Sequence, residues 1–515
     1  MAKIVSMMSR LTGEIRKNGI SNTYYKVKEK RAKNLSLKNY DSERLLVLPT
    51  AEELKAQKNQ KFEKDITFSI VVPTYHTPEL FLRQMVESVL GQTFCRVELC
   101  IADGSSDDSV EKIIREYQST DSRIKYKRLE ENKGISDNTN AGLTMATGEY
   151  IGLLDHDDLL ELHALYEMRV VLENEPQADV IYTDEDKVTF DLTHYFEPHY
   201  KPGFNPDLLR SNNYICHFLV MKRELLEKIG GFRPEFDGAQ DFDLVLRLTE
   251  EAKQIVHIPK VLYHWRSHEA STAANPLSKL YAYEAGKRAV EAHLCRCKTK
   301  GIVSNTRFYG FYETEYEIPE NLSFDLVMFS CKGKNPKKIL NIFSSDFHRQ
   351  NTGNVIYYEN EFNKFVIISK EQETTADVIV FAEAGLANVP ADAVKQLAVN
   401  CLREGTGMAG GRILSKNGKL LYGRMEPDSE GTLVHADAGL PKGFTGYFHK
   451  AILQQNTEAV SYRLFAVRKD IFSQWQPEEG KTSEELMMQL CNFVKQSGYR
   501  IAYVPIATAT MKRDG

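Results

Sequence analysis

Three carboxylates follow a short apolar run of the chain. Asp155, Asp157 and Asp158 come directly after the run from Tyr150 to Leu154. Such a run is typical of a strand buried on both faces of a parallel sheet, and ligands bind where such strands end. Side chains two residues apart share a face, so Asp155 and Asp157 can point at one Mg²⁺ or Mn²⁺ ion that holds a diphosphate. An acidic turn that caps the helix after Leu159 explains the same residues, and both interpretations stay open at this point.

Two further carboxylates stand at the ends of predicted elements. Asp103 ends the predicted strand that begins at Val97, and there it could accept the ring N–H of a uracil or thymine base. The sequence Asp-Gly-Ser-Ser that it opens is also an ordinary turn. Asp241 opens a predicted helix that runs to about Ala252, where the helix dipole favours an acid whatever its function. Taken singly, each residue is explained by local structure.

Strands and helices alternate from residue 67 onward, which is the pattern of an α/β domain. We predict strands at 68–72, 97–102, 124–129, 150–154 and 179–183, and helices at 79–90, 109–118, 135–147 and 223–229. Strands joined by helices imply right-handed crossovers and a mostly parallel sheet. The carboxylates described above then lie at the carboxyl edge of this sheet.

Length and composition limit the class of protein. A chain of 515 residues is too long for one ordinary core, and we predict a lead-in at 1–64 and two domains at 65–306 and 307–515. The net charge of −5 gives no general reason to expect a nucleic-acid partner. Eight cysteines without a CxxC pair indicate reduced, cytoplasmic thiols, and no apolar run approaches the roughly 18 residues of a spanning helix.

The first 40 residues are strongly basic. They carry ten Lys or Arg against two Glu, a net charge of +8, beside an imperfect apolar stripe between Ile4 and Ile15. A helix of this kind could lie on an anionic membrane surface. It could equally dock on its own domain, and the sequence favours neither interpretation.

Taken together and in order, these segments resemble an inverting family 2 glycosyltransferase with the GT-A fold, over roughly residues 67–294. Two more segments, 182–187 and 196–202, resemble bacterial rhamnosyltransferase-like enzymes of cell-surface polysaccharide biosynthesis. Here the chain reads Asn138-Thr139-Asn140 where the family often has Ala-Arg-Asn, so an arginine that contacts phosphate is missing. The segments that carry the family resemblance are 68–75, 103–107, 132–134, 155–158, 240–241 and 263–266.

The resemblance assigns roles to single positions. It makes Asp241 the catalytic base, and it makes Asp157 and His264 metal ligands, with His268 as the second choice for the histidine. Asp158 and Gln240 are additional candidates. The residues expected to bind the donor nucleotide and its diphosphate are Pro73, Thr74, Tyr75, Asp103, Lys133 and Asp155; an exposed lysine without function is the alternative for Lys133.

The C-terminal part, from about Arg307, repeats the apolar pattern of the first domain without its acids. Ala382 and Ala384 stand where Asp155 and Asp157 would be, Ser483 replaces Asp241, and Thr510 falls at the position of His264. We therefore predict a second, degenerate GT-A-like domain that binds acceptor or positions the polymer. An unrelated α/β accessory domain is the alternative.

The resemblance implies a metal-dependent enzyme that uses Mn²⁺ or Mg²⁺. It would move rhamnose or another hexose from a UDP- or dTDP-linked donor to a glycan or lipid-linked glycan, in the cytoplasm or on the inner face of the cell membrane. A nucleotidyltransferase would carry a basic Gly-rich loop after the first strand, and here that turn reads Pro73-Thr74-Tyr75. A scaffold without turnover suits the second half of the chain better than the first.

Overall fold

A computed structural model describes residues 23–24, 26–31, 37–267, 280–329, 352–358, 376–387 and 389–512. Two large sheets, each with helices packed on it, form the body of the molecule. The predicted α/β class is therefore confirmed. Among the described residues, no helix is long and apolar enough to cross a membrane.

The first sheet forms from the segments that the apolar pattern indicates. Every residue of Phe68–Thr74 and of Val97–Asp103 is buried, as expected for strands covered on both faces. The strands are β1 (Phe68–Thr74), β2 (Val97–Asp103), β3 (Ile124–Arg128), β4 (Tyr150–Leu153), β5 (Leu159–Leu160), β6 (Val180–Thr189), β7 (Tyr195–His199), β8 (Leu219–Lys222) and β9 (Ile255–Ser267).

The helices of the first half agree with the predicted periodicity, and Glu79–Leu90, Ser109–Gln118 and Arg223–Ile229 have the predicted bounds. The helices up to residue 296 are α1 (Tyr40–Leu45), α2 (Ala51–Asn59), α3 (Glu79–Leu90), α4 (Ser109–Gln118), α5 (Ile135–Leu143), α6 (Ala164–Asn174), α7 (Pro206–Ser211), α8 (Arg223–Ile229), α9 (Gln240–Glu251) and α10 (Leu280–Arg296).

The strand order of the first sheet is β3-β2-β1-β4-β8-β6-β9-β5, with β7 paired to β6. β1, β2, β3 and β4 are mutually parallel, β6 and β9 are parallel to each other, and β8 runs antiparallel between β4 and β6. The amino end of β8 therefore lies at the same edge as the carboxyl ends of β1 and β4. The acidic turn follows β4 at this edge.

A hairpin and a second sheet make up the rest of the chain. The hairpin is β10 (Gly301–Asn305) and β11 (Tyr312–Tyr316). The second sheet and its small neighbour contain β12 (Phe324–Phe329), β13 (Thr352–Tyr358), β14 (Val378–Glu383), β15 (Leu386–Ala387), β16 (Thr406–Leu414), β17 (Leu420–Tyr422), β18 (Arg424–Pro427), β19 (Leu433–His435), β20 (Gln455–Asn456), β21 (Ala459–Val460), β22 (Leu464–Arg468) and β23 (Arg500–Met511). The helices are α11 (Ala391–Leu402), α12 (Lys469–Phe472) and α13 (Ser483–Gln496).

The second sheet repeats the topology of the first. Its order is β13-β12-β14-β22-β16-β23-β15. Along this order the parallel and antiparallel pairs follow the same succession as in β2-β1-β4-β8-β6-β9-β5. The ladder Leu153↔Leu219 of the first sheet corresponds to Val380↔Ala466 of the second, which is the register predicted from the sequence. The predicted turn at 417–419 joins β16 to β17.

One position of the repeat shifts by a residue. Leu159 pairs with His264 in the first sheet, and its counterpart Leu386 pairs with Met511. Pairing with β15 therefore places Met511 at the position of His264. On the other side of the strand, Asp186 pairs with His264 and its counterpart Ile413 pairs with Ala509, so the predicted Thr510 lies between the two positions that the ladders give.

The two sheets share one hydrophobic core. A single buried cluster contains Val71 and Leu208 of the first half, Tyr316 of the hairpin, and Leu397 and Ala466 of the second half. The predicted boundary at 306/307 falls in the turn of the β10–β11 hairpin, between the two large sheets. The domain limits themselves stay a prediction.

Part of the lead-in docks on the first sheet. The Tyr40 hydroxyl of α1 donates to Asp186 Oδ2 at 2.7 Å, and the Thr93 hydroxyl donates to Gln57 of α2 at 2.9 Å. Docking on the protein's own domain thus holds for α1 and α2. The apolar stripe at 4–15 lies outside the described residues.

Candidate functional site

A cavity of about 730 Å³ lies at the carboxyl edge of the first sheet. It brings together residues that are far apart in the chain: Pro73 after β1, Asp155 and Asp157 after β4, and Gln240 and Asp241 at the start of α9. The cavity does not include Thr74, Tyr75, Asp103, Lys133, Asp158 or His264 in its lining. The predicted site therefore separates into residues that face the cavity and residues that lie behind or beside it.

The acidic turn is fixed from behind by β9. Tyr263 donates through its hydroxyl to Asp158 Oδ2 at 2.5 Å, and the backbone N–H of Arg266 donates to Asp158 Oδ1 at 2.7 Å. The Arg266 guanidinium also donates through Nε to the Asp157 carbonyl at 2.6 Å. Asp155 is exposed and Asp157 half-buried, so these two carboxylates remain on the cavity side.

Asp158 does not act as an open metal ligand in this arrangement. It is fully buried, and both of its oxygens accept hydrogen bonds from protein groups. Burial, with the neighbouring charges of Asp157 and Asp155, raises the pKa of Asp158 well above its usual value. Its contacts assign it to holding the turn, because a buried carboxylate needs its hydrogen bonds.

His264 is also placed away from the cavity. Its Nδ1 lies 2.5 Å from Asp186 Oδ1, and its Nε2 lies 3.1 Å from Glu161 and 3.3 Å from Arg44. Burial alone would lower the pKa of His264, but the two carboxylates raise that pKa to about 9. In this arrangement both ring nitrogens of His264 face protein groups, and its role as a metal ligand stays a prediction. The second choice, His268, lies outside the described residues.

Asp241 has the setting of a base. It stands in the first turn of α9, lines the cavity, and its Oδ2 accepts from the Asn213 side-chain amide at 2.9 Å. Burial raises the pKa of Asp241 above its usual value, and His217 partly opposes this effect. A carboxylate with a raised pKa at a cavity wall accepts a proton more readily than an exposed one.

Asp103 lies behind the cavity and is fully buried. Its carboxylate accepts from the Thr74 hydroxyl at 3.1 Å, from the Ser105 hydroxyl at 2.6 Å and backbone N–H at 3.0 Å, and from the Tyr126 hydroxyl at 2.8 Å. Thr74 is likewise buried, so both residues fix the turns after β1 and β2. Tyr75 is 49% exposed beside them and offers a ring face to a base.

Lys133 and Gln240 occupy different surroundings. The Lys133 ammonium is exposed and pairs with Glu131 at 3.1 Å, as the alternative of a surface lysine predicts. Gln240 lines the cavity, and its side-chain oxygen accepts from the Gly238 N–H at 2.9 Å. Gly134 also lines the cavity at a φ of +103°, which favours glycine, and a β-carbon there would meet Asp237 Oδ2 at 2.8 Å.

His217 is the cavity residue that the sequence did not single out. Its ring stacks on Tyr263 with centroids 4.7 Å apart, and its Nε2 lies 3.9 Å from Asp155 Oδ2. It also acts electrostatically on Asp241, whose pKa it lowers. Because β8 is antiparallel, residues just before it reach the carboxyl edge of the sheet, and that topological argument could have found His217.

The second half of the chain supports this site from outside. Both nitrogens of the Arg403 guanidinium bind the Asp207 carboxylate, at 2.7 and 2.5 Å. Asn456 and Asn205 exchange two hydrogen bonds of 2.8 Å. Asp207 begins α7, and α7 leads directly to Asn213 and its bond with Asp241.

The matching edge of the second sheet contains different chemistry. Ala382 and Ala384 are buried where the first sheet presents Asp155 and Asp157. Between them, Glu383 is bound by the guanidinium of Arg463. This pairing gives the one carboxylate of that turn a protein cation as its partner.

One other group of described residues has ligand atoms close enough for a metal. Glu250, His293 and Cys297 lie together, with Glu250 Oε1 at 2.6 Å from His293 Nδ1. Arg210 lies 3.1 Å from His293 Nε2, and Arg296 binds both oxygens of Glu250 at 2.7 Å. These cations fill the coordination sites, so the group acts as an ion-pair network.

Comparison with known proteins finds similarities that lie mainly in the first half of the chain. Residues 69–230 match the family described as glycosyl transferase family 2. The chain is 30% identical over 478 residues to the uncharacterized protein y4gI of Sinorhizobium fredii. This alignment covers 85% of this chain and 52% of y4gI. It is 38% identical over 229 residues to the O-antigen biosynthesis protein RfbC of Myxococcus xanthus, covering 44% of this chain and 18% of RfbC.

The chain thus spans about half of the length of y4gI and a smaller part of RfbC. Among solved structures, residues 1–349 of S. aureus TarS with UDP-GlcNAc align at 20% identity with a TM-score of 0.37, over 44% of this chain and 66% of that one.

Proposed function

We propose that the protein is an inverting, metal-dependent glycosyltransferase that acts on a nucleotide-diphosphate sugar, because residues 69–230 match the glycosyl transferase family 2. One observation carries the proposal: Asp155, Asp157 and Asp241 line the same cavity although 86 residues separate the first from the last. The family match supports transfer of a sugar rather than of a nucleotide.

The donor would bind along the carboxyl ends of β1, β2 and β4. Tyr75 offers a ring face for the base, and Asp103 with Thr74 fixes the turns on which base and ribose would rest. Asp155 and Asp157 present hard carboxylate oxygens, the donor type that Mn²⁺ and Mg²⁺ prefer, so they would hold the ion. A bound divalent ion neutralises the charge that develops on the leaving diphosphate.

The acceptor would enter on the side of α9. Asp241 would take the proton from the acceptor hydroxyl as that oxygen attacks the anomeric carbon, and a single displacement inverts the anomeric centre. Asn213 holds one oxygen of the Asp241 carboxylate in place at the cavity wall. His217, beside Asp155, would add positive charge near both carboxylates when it is protonated.

For the acceptor we propose a bacterial cell-surface polysaccharide or its lipid-linked precursor, with rhamnose or another hexose as the sugar transferred. The similarity to a protein named for O-antigen biosynthesis supports this class of product. The basic lead-in supports a peripheral position at the inner face of the cell membrane, because cationic segments are attracted to anionic lipid.

The proposal is tested by screening UDP-, dTDP- and GDP-linked sugars for transfer or hydrolysis with Mn²⁺, with Mg²⁺ and with EDTA. We expect turnover of one donor class only when a divalent ion is present. Asp157→Asn should lower metal-dependent turnover by about 10²- to 10³-fold, because it removes a charge that holds the ion. Asp121→Asn, which changes an Asp outside the cavity, is the matched control; metal-independent turnover at the wild-type rate would contradict the proposal.

The pH dependence of turnover follows from the raised pKa of Asp241. A base works only when ionised, so kcat/KM should fall as the pH drops through that raised pKa, at a higher pH than an ordinary Asp would give. Asn213→Ala removes a hydrogen bond to the ionised form and should move this fall to still higher pH. The measurement is kcat/KM from pH 4.5 to 9. An unshifted profile in Asn213→Ala would show that the fall in kcat/KM does not report the ionisation of Asp241.

A further inference from the structure

A second cavity, of about 560 Å³, lies between the β10–β11 hairpin and the second sheet. It shares none of its lining residues with the cavity described above. Glu313 of β11 and Arg307 close one side, Arg412 of β16 and Thr508 of β23 form the floor, and Lys442 stands at the rim. Its volume is that of sites for small molecules.

The polar groups of this cavity are mainly cationic. Three cations line it, Arg307, Arg412 and Lys442, against the single carboxylate of Glu313. In the part of the chain that the structure describes, no carboxylate oxygen lies within 4.0 Å of the charged nitrogens of Arg412 or Lys442. Arg307 interacts electrostatically with the Glu29 carboxylate. Arg412 and Lys442 therefore carry the positive charge that favours the binding of an anion.

Arg412 is also held in a fixed orientation. Its Nε donates to the Thr508 hydroxyl at 3.0 Å, and Thr508 in turn donates to the Pro505 carbonyl at 2.6 Å. Arg307 is anchored in a similar way through Nη2, which donates to the Gly443 carbonyl at 3.2 Å. With its Nε edge anchored, the Arg412 guanidinium can present its terminal N–H groups to a phosphate or carboxylate.

The remaining wall suits the faces of a sugar ring. It is built from apolar side chains, and the aromatic ring of Phe444 stands among them. The apolar residues of this wall are Leu414, Leu420, Leu440, Pro441, Phe444, Ile452 and Ile506. Apolar walls combined with a few placed charges are the usual composition of a small-molecule site.

We infer that this cavity binds a sugar that carries an oxyanion, as a phosphate or a carboxylate group. The inference rests on the proposed function in one respect, because it takes the sugar to be part of the acceptor glycan. A site of this kind in the non-catalytic half would hold the polymer while its end reaches Asp241. Binding itself does not depend on catalysis and can be measured alone.

The test is isothermal titration of the full-length protein with glucose 1-phosphate, with glucuronate and with glucose, all in EDTA so that no metal can hold phosphate in the first cavity. We expect one of the two anionic sugars to bind, which distinguishes phosphate from carboxylate, and glucose to bind at least about tenfold more weakly. Equal binding of glucose, or no binding of either anion, would overturn the inference.

Two variants locate the site. Arg412→Gln and Lys442→Gln should each lower the affinity for the anionic sugar, the former by about tenfold or more. Lys442 is exposed, so its variant keeps the test meaningful if Arg412→Gln fails to fold. Lys416→Gln, an exposed lysine outside the cavity, and Asp157→Asn should bind as the wild type does. Loss of binding in Asp157→Asn, or unchanged binding in both cavity variants, would place the ligand elsewhere. If the donor screen finds no transfer while these results hold, the proposed function fails and the binding site stands.

Discussion

Replacing Asp241 by Asn is expected to lower the kcat of sugar transfer by about 10²- to 10⁴-fold, which is the usual contribution of a general base. The side chain keeps its size and can still accept from Asn213 Nδ2, so the start of α9 should be undisturbed. Because the donor contacts proposed above do not involve Asp241, the Kd of the donor should stay within about twofold of the wild-type value. Steady-state kinetics and donor titration measure the two effects separately.

The control is Glu251→Gln, at the other end of the same helix. Glu251 is half-exposed and pairs with Lys228, so its loss should leave kcat unchanged. Turnover of Asp241→Asn at the wild-type rate would remove Asp241 from the role of base. A loss of donor affinity equal to the loss of kcat would assign Asp241 to donor binding instead.

The second large effect is on stability. Arg403→Met should lower the free energy of unfolding by about 3 kcal/mol, because it leaves the buried carboxylate of Asp207 without its main partner. Burial alone would raise the pKa of Asp207, but Arg403 holds that pKa below its usual range. Arg210, at 3.1 Å from Asp207, still offers a charge, which limits the loss. Denaturation with urea measures the change.

Two further variants check this explanation. Combining Arg403→Met with Asp207→Asn should recover most of the lost stability, since no buried charge then remains. Arg468→Met breaks a more exposed pair with Asp470 and should cost less than about 1 kcal/mol. If the double variant were no more stable than Arg403→Met, packing of the arginine on Tyr316 would be the larger contribution.

The positions of the strands and two residues at the cavity could be predicted from the sequence for different reasons. Strands such as β1 are apolar throughout, and the turn after each parallel strand must reach the same edge, so Asp155 and Asp157 could be placed from the sequence. The repeat was visible because an apolar strand keeps its pattern when its acids are lost. The ladder pairs at Leu153 and Val380 agree with that alignment.

The functions of side chains within β9 could not be predicted in this way. Four neighbours, from Tyr263 to Arg266, point to different surroundings: Tyr263 and Arg266 hold the acidic turn, and Trp265 lines the cavity. His264 instead meets Asp186 of β6 and Arg44 of α1, the latter from a segment 220 residues earlier in the chain. A sequence does not show which distant side chains will contact a buried histidine in the folded protein.

The core that both sheets share bears on why the second copy has been kept. One buried cluster joins its strands to Leu208 and Tyr316, which belong to the support of α7, and the same cluster contains Ala382 and Ala384. The two alanines that stand in place of Asp155 and Asp157 are therefore part of the shared core. The second sheet could therefore lose its acids, whereas a substitution that disrupted its core would also have destabilised the first sheet, which has the acids.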